Sequence, residues 1–235
     1  KIRNKFSSDL WRYISNENIL NGKYIELFID NDYKGLYLLK EYVSKKSLNV
    51  SENGSLFKSV LYLNQDDNNV HYIHDKYYLL RHPDDFDINN FLNYKIFISL
   101  IKGVDNNEYN NYYLAMKDEN SKIIKIPWDM DLTFGLTFNR INDYELVSDM
   151  GFDIYYNNSY DLNNLIKERY WSLRKNKIIF DNMDKYIDDY KNILINSGAT
   201  YRDSNRWNVE PVNDDIENIR EWLHKRVEYL DEFFR

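Results

Sequence analysis

The feature that most constrains this chain is a short segment in which a strand pattern ends in two closely spaced carboxylates. From Lys122 to Pro127, charged and β-branched residues alternate, which predicts a short β-strand. Pro127 cannot donate a hydrogen bond to a sheet, so the strand ends or lies at an edge there. Asp129 and Asp131 follow at once, and Gly135 permits a sharp bend. A strand that delivers carboxylates into a loop is a common way to hold a divalent cation, although a turn with two solvated aspartates also fits.

A second polar cluster lies upstream of this segment. Asp105 is followed by a run of amides that includes Asn110 and Asn111, and then by an apolar, strand-like sequence from Tyr112. The order along the chain is therefore Asp, Asn, strand, hairpin, strand, Asp. Kinase-like phosphotransferases have this order: one Asp orients the substrate hydroxyl, while an Asn and a second Asp hold Mg²⁺ on the phosphates. Together, the two clusters favour a metal-assisted phosphoryl-transfer site over two unrelated acidic turns.

The composition narrows the class of protein. The 235 residues include 31 Lys plus Arg and 38 Asp plus Glu, which gives a formal net charge of −7. This acidic balance argues against broad binding to nucleic acids or anionic membranes. No run of about 18 apolar residues is present, so we expect no membrane span. The absence of cysteine excludes disulfide scaffolds, thiol chemistry and thiolate metal sites.

The pattern along the chain predicts an α+β fold that is rich in strands first and in helices later. In the first part we expect a helix, a hairpin and a third strand, at residues 4–20, 24–39 and 56–63. Further helices are expected at residues 87–102, 162–173, 177–195 and 214–234. We therefore predict two lobes, a partial β-rich lobe at residues 1–70 and a mainly helical lobe with the acidic loops at residues 71–235.

Several short motifs occur in the order of a known family and are spread over nearly the whole chain. They are Arg3 to Arg12, Gly35 to Glu41, Leu56-Phe57-Lys58, Asp105 to Leu114, Ile126 to Asp131, Arg169-Tyr170-Trp171, Leu173-Arg174, Arg202-Asp203 with Trp207, and Trp222 with Arg226. On these residues, the sequence resembles the spore coat protein H (CotH) family of atypical protein kinases. The most specific part is the Trp-Asp-x-Asp loop with the upstream Asp…Asn-Tyr-Tyr sequence.

The resemblance implies a kinase-like two-lobed fold that uses ATP with Mg²⁺ or Mn²⁺ to phosphorylate Ser or Thr of protein partners. By position, Asp105 matches the catalytic-loop Asp, and either Asn110 or Asn111 matches its Asn. Either Asp129 or Asp131 matches the metal-loop Asp, and Asp129 is favoured because it directly follows the strand. The family also implies a location in the spore coat, outside the cell or at its surface, and we expect a monomer.

The resemblance further implies a nucleotide cleft. The segment at residues 39–43 looks like the hinge that cups adenine, with its backbone groups on the base edge. The expected nucleotide-binding residues are Glu41, Tyr42, Val43, Lys58 and Trp128. Two of them have simpler interpretations, because Glu41 could just end a strand and Lys58 could be a strand lysine without a role at phosphate.

One departure from the family pattern leaves the function open. In this family, strands before the Arg3 segment carry an Arg-Gly-Asn-Ser-type loop and a Pro-Lys-Lys segment, which cover the phosphates. Nothing in this sequence matches them, so either the chain is a fragment or the protein has lost that part. The alternative function is therefore a non-catalytic kinase-like binding module of a coat or surface assembly. A third class, a Ca²⁺-stabilised carbohydrate-associated domain, has only the acidic, aromatic-rich composition in its support.

Overall fold

The computed structural model has the α+β architecture that the sequence predicts. It describes residues 2–17, 20–59, 71–73, 83–106, 111–137, 162–175, 182–210 and 213–235. Within these ranges the helices are α1 Ile2–Ser15, α2 Ile88–Ile101, α3 Leu162–Lys175, α4 Met183–Lys191, α5 Ala199–Trp207 and α6 Asn213–Phe233. The strands are β1 Gly22–Ile29, β2 Asp32–Lys40, β3 Ser55–Ser59, β4 His71–Ile73, β5 Tyr112–Met116 and β6 Ile124–Pro127.

The first sheet is the predicted hairpin. Strands β1 and β2 pair antiparallel, with Gly22 opposite Lys40 at the open end. Asp30 and Asn31 form the turn with φ of 52° and 61°, the left-handed conformation that two-residue hairpin turns favour and that Asp and Asn tolerate. The turn therefore sets the register of the two residue pairs next to it, and a bulge at Leu27/Phe28 shifts the register of the remaining pairs by one residue.

The second sheet has four strands in the order β4-β3-β5-β6. Strand β5 pairs antiparallel with β3 and β6, while β3 and β4 are parallel. Lys58, Tyr113 and Ile126 lie side by side across its three main strands. Strand β6 is an edge strand, which is where the sequence places Pro127.

Helix α2 forms the centre of the core. Every residue from Phe91 to Ile101 is buried, including the polar Asn93, Lys95 and Ser99, so the helix is enclosed on all sides. Its first turn is capped by Asp87, whose Oδ1 accepts a 2.8 Å hydrogen bond from the Asn90 N–H. Trp11 of α1 packs on Phe97, with 5.3 Å between the ring centroids. The helix therefore fixes the loop that follows it against both α1 and the second sheet.

Helix α5 carries the hairpin, and the sequence analysis did not predict it. Its buried residues are Ala199, Thr200, Asp203 and Ser204, so the packed face is largely polar and lacks the apolar periodicity that indicates a helix. The buried Asp203 accepts a 2.7 Å hydrogen bond from the Leu36 N–H of β2. Arg202 forms two 2.7 Å hydrogen bonds with the carboxylate of Glu26 on β1.

Other differences from the sequence-based prediction lie at element ends. Helix α1 ends at Ser15 instead of residue 20, and the left-handed Asn16 follows it. The predicted helix at 177–195 is described from residue 183, and after Lys191 it continues as a π-helical turn at Asn192–Asn196. Residues 60–63 of the predicted third strand lie outside the described residues. Among the helices in the described ranges, none combines the length and the apolar character that a bilayer crossing requires.

Candidate active site

Two loops lie side by side where α2 and β6 end. The Phe134 N–H donates to the Ile101 carbonyl at 2.7 Å, and the Val104 N–H donates to the Leu132 carbonyl at 3.2 Å. Lys102, at the end of α2, adopts a left-handed conformation with φ of 48°. These contacts bring the loop that contains Asp105 next to the loop after β6.

Asn106 holds the two loops together. Its side chain is buried, and its Nδ2 donates to the carbonyls of Asn111, at 3.1 Å, and Trp128, at 2.5 Å. The Trp128 N–H in turn donates to the Asn111 carbonyl at 2.8 Å. Sequence reasoning missed this residue, because one amide within an Asn-rich run carries no signal that distinguishes it from its neighbours.

Asp105 and Asn111 are in direct contact. Asn111 Nδ2 donates to Asp105 Oδ2 at 2.7 Å, so the amide fixes one carboxylate oxygen, and no side chain among the described residues donates to the other. Asn111 has a φ of 57°, a left-handed conformation that Asn tolerates better than most residues. The other candidate amide, Asn110, lies outside the described residues.

Asp129 is the carboxylate of the second loop that faces Asp105. Partial burial and the charges of Asp131 and Asp105 raise its pKa, and this outweighs the opposing effects of Lys40 and a hydrogen bond from the Asn4 side chain. Its φ of 54° is left-handed, and this kind of backbone strain is concentrated at functional sites. Both aspartates of the motif are exposed, and they differ in their contacts. Asp129 interacts with Lys40 and Asn4, whereas Asp131 Oδ1 accepts a 3.0 Å hydrogen bond from the neighbouring Leu132 N–H.

Asn4 supports the second loop from α1, and it was not among the predicted site residues although it lies in the first family motif. Its Oδ1 accepts a 2.9 Å hydrogen bond from the Met130 N–H, while its side chain also hydrogen-bonds Asp129. Arg3, the preceding residue, donates to the carbonyls of Thr133 and Phe134. The Arg3-Asn4 pair therefore fixes the backbone around Asp129, which gives a physical role to the start of the first family motif.

A divalent cation could bind between the two loops. In the described part of the chain, no three His, Cys, Asp or Glu side chains are grouped closely enough to hold a metal ion by themselves. Asp129 and the amide oxygen of Asn111 are hard oxygen donors, the type that Mg²⁺ and Mn²⁺ prefer. A site with so few protein ligands suits a cation that keeps water and takes phosphate oxygens as its other ligands.

An aromatic row leads from the second sheet to this loop. The Tyr113 and Trp128 rings meet edge to face, with 5.6 Å between their centroids. Lys58 Nζ lies 5.9 Å from the Tyr113 ring centroid, at one end of the row. At the other end, Lys40 Nζ lies 4.5 Å from the Trp128 ring centroid. Lys40 was not among the predicted site residues, although its spacing from the buried Leu36 could have placed it on the inner face of β2.

The predicted hinge lies at the base of the hairpin. The Glu41 N–H donates to the Asn21 carbonyl at 2.9 Å, and Glu41 Oε2 accepts from the Asn21 N–H at 3.2 Å. Tyr42 is 69% exposed and Val43 is buried. Glu41 thus ends the strand pair, and a role of these three residues at adenine stays a prediction.

Comparison with known proteins identifies one family. A family model described as CotH kinase protein matches residues 1–84 and 78–230, nearly the whole chain. A search of curated proteins found no match. The matched ranges include both loops, the hairpin and helix α5.

Proposed function

The chain belongs to the CotH kinase family, and from that premise we propose that it binds ATP with Mg²⁺ or Mn²⁺ and transfers the γ-phosphate to Ser or Thr of a protein partner. The observation that carries this proposal is the 2.7 Å contact between Asp105 and Asn111, beside the loop that presents Asp129. Phosphoryl transfer requires this set of groups, because catalysis depends on positioning the substrates and neutralising charge.

Each side chain has a defined part in the proposed reaction. The free oxygen of Asp105 accepts a hydrogen bond from the substrate hydroxyl. This hydrogen bond directs the hydroxyl oxygen towards the γ-phosphorus of ATP. The Asn111 amide donates to Asp105 through Nδ2, so its Oδ1 remains available as a metal ligand together with Asp129. A bound divalent cation supplies charge neutralisation at the phosphates.

The electrostatics of the acidic loop support a cation at this position. Burial and the neighbouring carboxylates of Asp131 and Asp105 raise the pKa of Asp129. A cation bound to Asp129 would relieve this repulsion and favour the ionised carboxylate. The loops therefore have the charge expected of a site that takes a metal together with a nucleotide.

The family suggests the type of partner. The CotH family is associated with spore coat proteins, so we propose that the acceptor is a protein of the coat or the cell surface. The acceptor would present a Ser or Thr hydroxyl to Asp105, and the formal charge of −7 suits a partner with basic residues around that hydroxyl.

A phosphate-transfer assay on the full-length protein tests the proposal. With radiolabelled ATP, Mg²⁺ or Mn²⁺, and casein as a generic acceptor, Asp105→Asn should reduce transfer about 10²- to 10⁴-fold. The reason is that the amide oxygen is a weaker hydrogen-bond acceptor than a carboxylate and cannot take up the proton of the substrate hydroxyl. Asp118→Asn is the matched control, because Asp118 lies exposed in the β5–β6 turn, and it should leave transfer unchanged.

Two results would contradict the proposal in different ways. Full transfer by a folded Asp105→Asn variant would exclude Asp105 as the residue that orients the hydroxyl. If the wild-type protein binds ATP with metal but transfers nothing to itself or to an acceptor, the chain is a nucleotide-holding module instead of an enzyme.

A further inference from the structure

A lysine of the hairpin faces the candidate active site without a carboxylate partner. Lys40 Nζ lies 4.5 Å from the centroid of the Trp128 ring. Trp128 is the residue directly before Asp129 in the chain. Within the described ranges, no carboxylate lies at ion-pair distance from it, although the charge of Asp129 acts on it. We propose that Lys40 binds the phosphates of the nucleotide, an inference that rests on the function proposed above.

The register of the hairpin explains why Lys40 points inwards. Side chains two or four residues apart on a strand share one face, so Lys40 lies on the same face as the buried Leu36. Leu39 and its cross-strand partner Lys23 lie on the opposite, exposed face. Gly22 is opposite Lys40 and has no side chain to crowd the ammonium group. The hairpin therefore delivers one positive charge to the acidic loops.

The surroundings of Lys40 suit an anion. Burial lowers its pKa, and the charge of Asp129 only partly compensates. The negative face of the Trp128 ring attracts the ammonium group of Lys40. The ring does not accept conventional hydrogen bonds from the three N–H groups of this ammonium, whereas carboxylate or phosphate oxygens would. Phosphate oxygens held by a cation at Asp129 would meet these donors directly and form charge-assisted hydrogen bonds.

The position of Lys40 complements the acidic side of the site. Asp105 and Asp129 carry negative charge, and the oxygens of Asp129 and Asn111 can reach phosphate only through a cation. Lys40 comes from the hairpin and lies on the Trp128 ring, from which its ammonium group would contact phosphate oxygens directly. A polyphosphate between the two sides is then neutralised from both directions, which is the charge balance that phosphoryl transfer needs.

Calorimetric titrations of ATP, ADP and adenosine, with Mg²⁺, separate phosphate binding from base binding. Lys40→Gln should weaken ATP binding about tenfold, which corresponds to about 1.4 kcal/mol, and leave adenosine unaffected. Lys40→Arg keeps the positive charge and should restore most of the ATP affinity. Lys23→Gln is the matched control, because it removes a lysine from the outer face of the same hairpin, and it should bind ATP as the wild type does.

A second measurement uses the wild-type protein and does not depend on the folding of a variant. Saturating ATP with Mg²⁺ should slow acetylation of Lys40 at least several-fold, as followed by mass spectrometry, while Lys23 should react at an unchanged rate.

The outcomes distinguish this inference from the function on which it rests. Wild-type affinity of Lys40→Gln for ATP, or equal weakening of ATP and adenosine, would overturn it and leave Lys40 as a brace for Trp128. An unchanged acetylation rate at Lys40 with ATP bound would also overturn it. If the wild-type chain bound no ATP, the proposed function would fail, and this inference with it.

Discussion

The two sheets of this protein are stabilised in different ways. In the four-stranded sheet, Tyr112 to Ala115 of β5 are all buried, and Leu114 is only 2% exposed. In the hairpin, Phe28 is 60% exposed and Leu39 is 53% exposed. The four-stranded sheet belongs to the apolar core around α2, whereas the hairpin is held on α5 by Asp203 and Arg202.

This difference extends to the candidate active site. The Asp105 and Asp129 loops directly follow two elements of the core, α2 and β6. Hydrogen bonds from Asn106 join the two loops. Lys40 is supplied by the hairpin instead. Elements with few buried apolar contacts open more easily than the core does. The acidic side of the site should therefore be rigid, and the basic side should be adjustable when a nucleotide binds.

The largest expected effect comes from damage to the core. Phe97→Ala should lower the free energy of unfolding by about 3–5 kcal/mol, because it removes a buried ring that packs on Trp11. The control Phe28→Ala removes an exposed ring of the hairpin and should change stability by less than about 0.5 kcal/mol. Urea titrations measure both. Equal losses would show that the hairpin contributes to the stability of the whole fold as the core does.

An intermediate effect is expected where the hairpin meets α5. Gly35 has a φ of +116°, and a Cβ there would lie 2.7 Å from Trp207 Nε1 and 2.8 Å from Asp203 Oδ1. Gly35→Ala should cost about 1–3 kcal/mol through backbone strain and this crowding. Hydrogen exchange should show the loss in β1 and β2, while the amides of α2 stay protected.

The neighbouring substitution Lys34→Ala provides the control for Gly35→Ala. Lys34 forms an ion pair with Asp32 at the surface of the same hairpin. Lys34→Ala should leave hydrogen exchange of the amides in β1 and β2 unchanged. Uniform deprotection of the hairpin and α2 in the Gly35→Ala variant would contradict the separate anchoring of the two sheets.

The smallest effect is a pH dependence of the hairpin contact. Hydrogen bonds from Arg202 hold the pKa of Glu26 below its ordinary value of 4.5. The contact therefore stabilises the folded state fully above about pH 4.5 and is lost as the pH falls through the folded pKa. The difference in unfolding free energy between wild type and Glu26→Gln should be small, because the Glu26–Arg202 pair lies at the surface. This difference should shrink as the pH falls below about 4.5. A difference that grows on acidification would contradict this assignment.

The parts of the fold that follow simple patterns were predictable from the sequence. The hairpin follows from alternation and its turn residues, α2 from its apolar residues at helical spacing, and the strand before Asp129 from alternation, because each of these signals is local in the sequence. Helix α5 was missed because the face that it buries carries Thr200, Asp203 and Ser204. Asp203 bonds to the hairpin, Thr200 donates to the Leu194 carbonyl before the helix, and Ser204 donates to the Tyr201 carbonyl within it. A polar buried face has no signature in the pattern of one element, since its partners lie far away in the chain.

The candidate site was predictable in its motif residues and not in their supports. Asp105 and Asp129 stand out through their order and spacing along the chain. Asn4, Lys40 and Asn106 act through contacts across the fold, where hydrogen bonds or ring contacts join them to the Trp128–Met130 segment. Asn106 has no local signal, and neither the strand position of Lys40 nor the motif that contains Asn4 shows which loop these side chains contact, so only the tertiary structure brings them to the site.

The most direct test of the central claim is a titration of ATP, with and without Mg²⁺, into the wild type and Asp129→Asn. Asn keeps the size of the side chain and tolerates the left-handed backbone at this position, so the fold should survive while the charged ligand is lost. The account predicts Mg²⁺-dependent binding by the wild type and at least a tenfold loss, about 1.4 kcal/mol, in the variant. Equal, metal-independent affinity in both proteins would contradict a nucleotide site between the two loops and the hairpin.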